Sequence, residues 1–257
     1  MRYILVFLFF NVSVINFAQK DAFSKLKTNL EMAIINNDEQ EESKISTQLV
    51  KAYSNATFTY YESVLKKLPH QALLITNGVE DFIPLTILQK SRHINPSVDI
   101  VSLKLLNENS TYATTVFAKY KLSNAFDKTS ESIYLSRLLS QKVVSVFLSS
   151  TIQPYKYSSH TASLFLVGTA LEYKCTNQYS QLLGFYTMVS KSVSKPPALT
   201  AKEKQLYTNF LPPLLTFYKM EVQSGKENSK LKKQILSFAK YIGKKETVER
   251  IINTYSK

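Results

Sequence analysis

One stretch of fourteen residues, 72–85, constrains the fold of this chain most strongly. Residues 72–76 form a short, mainly apolar run between chain-breaking residues, which is typical of a strand buried on both faces of a parallel sheet. The Asn77-Gly78 dipeptide that follows would also suit a two-residue hairpin, but the residues from Pro84 onward have helical spacing. We therefore predict a strand-to-helix turn with Asp81 as the N-cap of the helix and Pro84 in its first turn.

Further apolar runs extend this unit into a sheet. Residues 98–103 predict a second strand, which makes a β-α-β unit with a right-handed crossover, and residues 105–109 predict a loop after it. Residues 143–148 predict a third strand. Residues 163–167 are either a fourth strand or the start of a helix, because periodicity does not distinguish the two in so short a run.

Helical spacing dominates on both sides of the predicted sheet. Five glycines and no tryptophan in 257 residues also favour a helix-rich protein. The predicted fold is α/β, with a small, mostly parallel sheet, an N-terminal helical hairpin and a C-terminal stack of antiparallel helices. We divide the chain into a signal peptide, a helical hairpin, an α/β core and a C-terminal helical region, which comprise residues 1–18, 19–70, 71–174 and 175–257.

The N-terminus has the form of a secretory signal peptide. Met1-Arg2-Tyr3 is a short basic region, residues 4–10 are apolar, and cleavage is predicted after Ala18. The apolar run is shorter than the roughly 20 residues that span a bilayer, and no later stretch is long and apolar enough to do so. We expect an extracytoplasmic protein, periplasmic or secreted, without a transmembrane segment in its mature chain.

Charge and cysteine content limit the function classes. The formal net charge of +13 favours contact with anionic surfaces, but the excess is mostly lysine and the chain has only four arginines. Neither the basic-aromatic pattern of single-strand binders nor an arginine-rich recognition element is present, so no nucleic-acid partner is predicted. Cys175 is the only cysteine; it excludes an intramolecular disulfide and is expected to be an inert thiol.

Four stretches of sequence suggest a family. The stretch from Ile75 to Gln89 resembles the pattern T-N-G-D-x-D-T-x-P-L-x-x-L-Q, and residues 98–107 are similar to the strand D-V-x-V-V-N-L-x-L-L-N that follows it. Residues 146–151 and 166–173 look like later motifs. In these stretches the chain resembles the extracytoplasmic region of a bacterial polytopic membrane protein family of unknown function that is related to protein O-mannosyltransferases.

The departures from that pattern are as informative as the matches. Val79 and Phe82 replace an acid and a threonine, so that Asp81 is the surviving carboxylate, with Glu80 beside it. The membrane helices in which the glycosyl-transfer chemistry of such enzymes resides are missing. The resemblance therefore implies a detached module and not a stand-alone transferase.

Candidate ligand-binding residues follow from the topology, since ligands of open α/β sheets bind outside the carboxyl ends of the strands. At this edge, Glu80 and Asp81 could bind a cation or the hydroxyls of a sugar. Alternatively, Asp81 only caps the helix and Glu80 only interacts with the helix dipole. No metalloprotease, nucleophile-elbow or phosphate-loop motif is present, so no catalytic residue, metal or cofactor is predicted. The candidates are Asn77, Gly78, Glu80, Asp81, Asn107 and Thr151.

Two functions remain open from the sequence. The first is a non-catalytic module that binds an envelope partner, either a protein through the helical tail or a glycan at the strand ends. The alternative is a glycan-directed hydrolase or transferase that uses Asp81 and Glu80, with or without a divalent cation.

Overall fold

The computed structural model describes residues 21–123, 130–226 and 228–255, so the predicted signal peptide over residues 1–18 lies outside the described part. The fold is α/β with a five-stranded sheet in the order β2-β1-β3-β5-β4. The strands are β1 (Leu73–Thr76), β2 (Asp99–Ser102), β3 (Val146–Ser149), β4 (Leu164–Leu166) and β5 (Ala170–Tyr173).

The sheet has a parallel half and an antiparallel half. β1 is parallel to β2, with Leu73 opposite Asp99, and parallel to β3, with Leu73 opposite Val146. β5 runs antiparallel to both β3 and β4. The run at residues 163–167, which periodicity left open, is therefore a strand, and β5 is a fifth strand that the sequence did not predict.

Helices surround this sheet. Before it lie α1 (21–35), α2 (Glu39–Leu49), a 3-10 turn and α3 (Asn55–Lys67). Between the strands of the sheet, in sequence order, are α4 (Val79–Arg92), α5 (Leu103–Glu108), α6 (Ser110–Lys119), α7 (Glu131–Ser140) and the 3-10 segment Pro154–Ser163. After it come α8 (Gln178–Ser194), α9 (Ala201–Tyr207), a 3-10 turn, α10 (Leu211–Gln223), α11 (Ser229–Tyr241) and α12 (Lys245–Asn253).

The prediction of a loop at residues 105–109 is wrong, because α5 begins directly after β2. The Ser102 side chain caps this helix by accepting a hydrogen bond from the backbone N–H of Leu105 at 3.3 Å. Leu103, Leu105 and Leu106 are buried on the helix. A capping serine and three buried leucines outweigh the turn tendency of the following Asn-Glu-Asn sequence.

A continuous hydrophobic core connects the predicted regions. All four residues of β1 are fully buried, and the core cluster includes Leu30 from α1, Phe210 from the turn before α10 and Ile252 from α12. α3 contacts both α4 and α9, so the helices before and after the sheet meet beside it. None of the helices in the described part of the chain combines the length and apolar character needed to cross a bilayer.

Candidate functional site

The carboxyl ends of β1, β2 and β3 lie at one edge of the sheet, because these three strands are parallel and adjacent. β1 leads through Asn77 and Gly78 into α4, and β3 ends at Ser149, two residues before Thr151. The first turn of α4 and the loop after β3 therefore approach each other at this edge. Two environments with different chemistry meet here, one around Asp81 and one around Glu80.

Asp81 lies in an enclosed cluster of hydroxyl groups, and only 4% of the residue is exposed. Its carboxylate accepts hydrogen bonds from the Tyr61 hydroxyl at 2.8 Å, from the Ser149 hydroxyl at 3.2 Å and from the Thr151 hydroxyl. No described lysine or arginine forms an ion pair with it. We call Asp81, Tyr61, Ser149 and Thr151 the hydroxyl cluster.

Burial has the largest effect on the pKa of Asp81. The loss of hydration raises the pKa of Asp81, and the hydrogen bonds from Thr151, Tyr61 and Ser149 offset this only in part. The predicted N-cap role of Asp81 is wrong, because Gly78 is the N-cap of α4 and Asp81 is the third residue of the helix. Its side chain turns inward to the hydroxyl cluster instead of back to the free N–H groups of its own helix.

Tyr61 also compensates for a proline inside α4. Pro84 has no N–H, so the carbonyl of Glu80, four residues earlier, loses the partner that a helix normally provides. The Tyr61 hydroxyl lies 3.0 Å from this carbonyl oxygen and 2.8 Å from Asp81 Oδ1. The Tyr61 hydroxyl is thus a donor shared by two acceptors, the carbonyl of Glu80 and the carboxylate of Asp81.

The Glu80 carboxylate lies in a different environment, although the residue precedes Asp81. Its two oxygens accept hydrogen bonds from Lys27 of α1 and Lys202 of α9, both at 3.0 Å, and 65% of the side chain is exposed. Partial burial alone would raise the pKa of Glu80, but the two lysines outweigh it and hold the pKa below its usual range. Glu80 therefore links α1, α4 and α9 through an ion-pair bridge.

This bridge lies in a cleft of about 500 Å³ between the helices before and after the sheet. The cleft is within the size range of small-molecule sites. Three aromatic rings, two lysines and two glutamates face it together with smaller polar residues. Its lining comprises Phe23, Lys27, Ala52, Tyr53, Ser54, Thr57, Tyr61, Glu80, Thr200, Lys202, Glu203, Gln205, Leu206 and Asn209.

One wall of the cleft is built by the start of α9. Thr200 and Glu203 form a reciprocal capping box, in which Glu203 Oε2 accepts from the Thr200 backbone N–H at 2.7 Å. The other oxygen of Glu203 accepts from the Ser54 hydroxyl, which itself caps α3. The hydrogen bonds from Ser54 and Thr200 lower the pKa of Glu203. The side chains that begin α3 and α9 are thereby fixed to each other.

Aromatic residues form the apolar part of the cleft. Phe23 and Tyr53 pack edge to face with ring centroids 5.7 Å apart, and Lys27 Nζ lies 4.8 Å from the centroid of Phe23. The Tyr53 hydroxyl is buried and has no hydrogen-bond partner among the described residues. Burial, with Glu80 nearby, raises the pKa of Tyr53, so the hydroxyl keeps its proton and is a donor at the cleft wall.

The remaining predicted residues lie apart from the cleft. Asn77 Oδ1 accepts a hydrogen bond from Lys156 at 2.8 Å, and Lys156 also pairs with Glu131. Gly78 lies next to the Lys104 side chain. Asn107 Oδ1 is buried without a partner in the described chain, and no hydrogen bond joins Asn107 to the other candidates. The structure thus joins Asp81 and Thr151 in one cluster and places Glu80 alone among the candidates in the cleft.

Two other groups with reactive potential have ordinary surroundings. The Ser136 hydroxyl lies 2.9 Å from His160 Nε2, but the described residues supply no hydrogen-bond partner that would orient the other ring nitrogen. The pair attaches the 3-10 segment to α7. Burial and the nearby Glu172 raise the pKa of Cys175 to about 11, as expected for an unreactive thiol. No cluster of three or more His, Cys, Asp or Glu side chains suited to a metal occurs within the ranges described.

Sequence reasoning missed most of the cleft. Lys27, Ser54, Lys202 and Glu203 lie outside the predicted α/β core, whereas the rule that ligands bind at the ends of parallel strands points only to residues within that core. The T-x-x-E spacing of Thr200 and Glu203 was a readable signal for the start of a helix. It gave no indication that this helix start would lie opposite α3.

Comparisons with protein-family models, with curated proteins and with solved structures gave no significant match to this chain.

Proposed function

We propose that this chain is a secreted or periplasmic, non-catalytic module that binds an envelope glycan in the cleft between α1, α3 and α9. The observation that supports this proposal is the lining of the cleft, in which Phe23, Tyr53 and Tyr61 are combined with carboxylates and amides. Aromatic faces cover the C–H surface of a sugar ring, and carboxylate or amide groups hydrogen-bond its hydroxyls.

The charge balance of the cleft favours a neutral ligand. Glu80 compensates Lys27 and Lys202, and the hydrogen bonds of Glu203 are directed to Ser54 and Thr200. A phosphorylated or strongly cationic ligand would have to break one of these arrangements and leave a charge unpaired. A ligand rich in hydroxyl groups can add hydrogen bonds at the rim without displacing any ion pair.

The geometry argues against the alternative of a hydrolase or transferase that uses Asp81 and Glu80. Acid-base catalysis on a glycosidic bond needs two carboxyl groups that face the same bond. Asp81 is almost fully buried among hydroxyl groups, while Glu80 faces the cleft. Two carboxyls in separate environments do not flank one substrate bond.

The extracytoplasmic location rests on the signal-peptide form of residues 1–18. The resemblance of residues 68–173 to the membrane protein family named above remains a hypothesis that is consistent with an origin in the cell envelope. The composition of the cleft supports a glycan in preference to the other partner considered from the sequence, a protein bound through the helical tail.

The test is to fill the cleft from its rim. Gln205 lines the cleft and is exposed, so Gln205→Trp should occupy the cavity without disturbing the core. We expect oligosaccharides released from envelope polysaccharide to bind the unmodified protein in isothermal titration calorimetry and to bind Gln205→Trp at least tenfold more weakly. Because the chain has no tryptophan, the new indole is also the only one to report on the cleft by fluorescence.

Ala201→Trp is the matched control. Ala201 is exposed at the start of the same helix but does not line the cleft, so this variant should bind oligosaccharide as the unmodified protein does. Equal loss of binding in both variants, or no binding of any envelope oligosaccharide by the unmodified protein, would refute the proposal. Hydrolysis of the oligosaccharide during titration would refute its non-catalytic part.

A further inference from the structure

α11 has an unusual distribution of charge. Over Ser229–Tyr241 it contains four lysines and no acidic residue. Its apolar residues Leu231, Ile235 and Phe238 are buried against α8, α10 and α12. Lys230, Lys233 and Lys240 follow each other at helical spacing on the opposite side and are exposed.

Two turns extend this row of charge. Lys226 lies in the turn before α11 and Lys244 in the turn after it, and both are exposed. We call these five residues, Lys226, Lys230, Lys233, Lys240 and Lys244, the lysine face. Along the helix axis Lys230 and Lys240 are about 15 Å apart, at a rise of about 1.5 Å per residue. The charges therefore lie along a line and do not converge on a pocket.

Some lysines elsewhere in the described part of the protein are paired with carboxylates, and others, such as Lys25, Lys51 and Lys142, are not part of a row. Among the described residues there are nine lysine-carboxylate pairs, which include Lys90 with Glu42, Lys119 with Asp99 and Lys245 with Glu249. No residue of the lysine face forms an ion pair with any of the residues that the structure describes. The lysine face is therefore a row of exposed positive charge on a helix that contains no acidic residue.

We propose that the lysine face docks the protein on an anionic phospholipid bilayer by electrostatic attraction alone. A row of four to eight lysines on an amphipathic helix complements a surface of anionic head groups, and each lysine favours binding by about fivefold. Both surfaces are extended, which suits a flat bilayer better than a compact ligand. The large exposed apolar side chains, such as Met32 and Leu183, lie outside α11. Docking therefore involves no insertion into the hydrocarbon region.

The test is sedimentation of the full chain with vesicles. Vesicles of mixed phosphatidylglycerol and phosphatidylcholine should bind the protein at low salt and release it at about 0.1 M salt and above, where the Debye length falls to about 10 Å. Vesicles of phosphatidylcholine alone should not bind it. The combined change Lys230→Glu, Lys233→Glu and Lys240→Glu should weaken binding to the anionic vesicles by roughly a hundredfold or more.

The matched control changes net charge by the same amount elsewhere. Lys25, Lys51 and Lys142 are exposed and lie outside both the lysine face and the cleft, so their combined change to glutamate should weaken binding far less. Equal weakening by both triple variants would show a general charge effect and overturn the proposal. So would binding to phosphatidylcholine alone, or to an anionic polysaccharide but not to vesicles. Circular dichroism verifies that each variant is folded, and oligosaccharide titration tests the cleft independently.

Discussion

Glu80 and Asp81 are neighbours in the first turn of α4, yet their carboxyl groups have opposite properties. Glu80 is largely exposed, is paired with two lysines and has a lowered pKa. Asp81 is buried, has only hydroxyl partners and has a raised pKa. One belongs to a cleft that is open to ligands, and the other belongs to the packing of the sheet edge.

The difference arises from helix geometry. Successive side chains on a helix point about 100° apart, so two adjacent acids at a helix start face different neighbours. Here Glu80 faces α1 and α9, and Asp81 faces the end of β3 and the Tyr61 hydroxyl. An acidic pair in a sequence is thus weak evidence for a shared site, and the two regions can be tested separately.

The largest expected effect is on stability, at the hydroxyl cluster. Asp81→Ala leaves the Tyr61, Ser149 and Thr151 hydroxyls without their common acceptor inside the protein. We expect a loss of about 3 kcal/mol in the free energy of unfolding, since each buried group left unpaired costs about 1–3 kcal/mol and Ser149 and Thr151 still bond to each other. Denaturant unfolding measures the loss.

Asp81→Asn is the control for that change. The amide has nearly the same shape and is neutral, so we expect it to cost about 1 kcal/mol or less. Oligosaccharide binding should persist in Asp81→Asn. Loss of oligosaccharide binding at unchanged stability in either variant would instead place Asp81 in the ligand site. The hydroxyl cluster and the cleft would then not be separate regions.

A smaller effect is expected where the two environments touch, at Tyr61. Tyr61→Phe removes the donor shared by Asp81 and the Glu80 carbonyl, and we expect a loss of about 1.5 kcal/mol in the free energy of unfolding. Pro84→Ala restores the N–H that Pro84 lacks, so that the helix itself bonds the Glu80 carbonyl. In that background Tyr61→Phe should cost about 0.5–1 kcal/mol less.

This double-mutant cycle isolates the hydrogen bond from the Tyr61 hydroxyl to the Glu80 carbonyl, which has no helical partner because of Pro84. Additive effects of Tyr61→Phe and Pro84→Ala would show that the hydroxyl serves only Asp81. Chemical denaturation of the four proteins in the cycle at one pH is sufficient.

Much of the fold follows from local sequence. The buried run before Asn77 and the helical spacing after Pro84 predicted β1 and α4, because a strand buried on both faces and a helix have different apolar periods. β5 was not predicted, since Ala170–Tyr173 is short and its pairing with β3 and β4 depends on residues distant in the chain. Ser102 was correctly predicted in the second strand, but its additional role as the N-cap of α5 was not.

The candidate site was less predictable for a related reason. The edge of a parallel sheet is a general location for ligands, and this predicted Glu80 and Asp81 as candidates. The cleft, however, depends on contacts between residues more than a hundred positions apart, such as Ser54 with Glu203 and Lys202 with Glu80. Such contacts leave no periodic pattern in a single sequence.

The smallest expected effect is a pH dependence of opposite sign at the two carboxyls. The pKa of Asp81 is raised in the folded protein, so its contribution to stability is fully present below the unfolded value of about 3.9 and is lost as pH rises through the folded pKa. The pKa of Glu80 is lowered, so its contribution is present above about 4.3 and is lost as pH falls through the folded pKa.

Urea unfolding from pH 3 to pH 7 of the unmodified protein, Asp81→Asn and Glu80→Gln separates the two. The stability of the unmodified protein relative to Asp81→Asn should fall as pH rises from about 4. The reason is that the Asp81 carboxyl ionises less readily in the folded protein than in the unfolded chain, whereas asparagine does not ionise. Relative to Glu80→Gln it should rise by less than about 1 kcal/mol, since an exposed ion pair is screened by water. If both differences changed in the same direction with pH, the two carboxyls would titrate as one coupled site, and Asp81 would have to be regarded as part of the cleft.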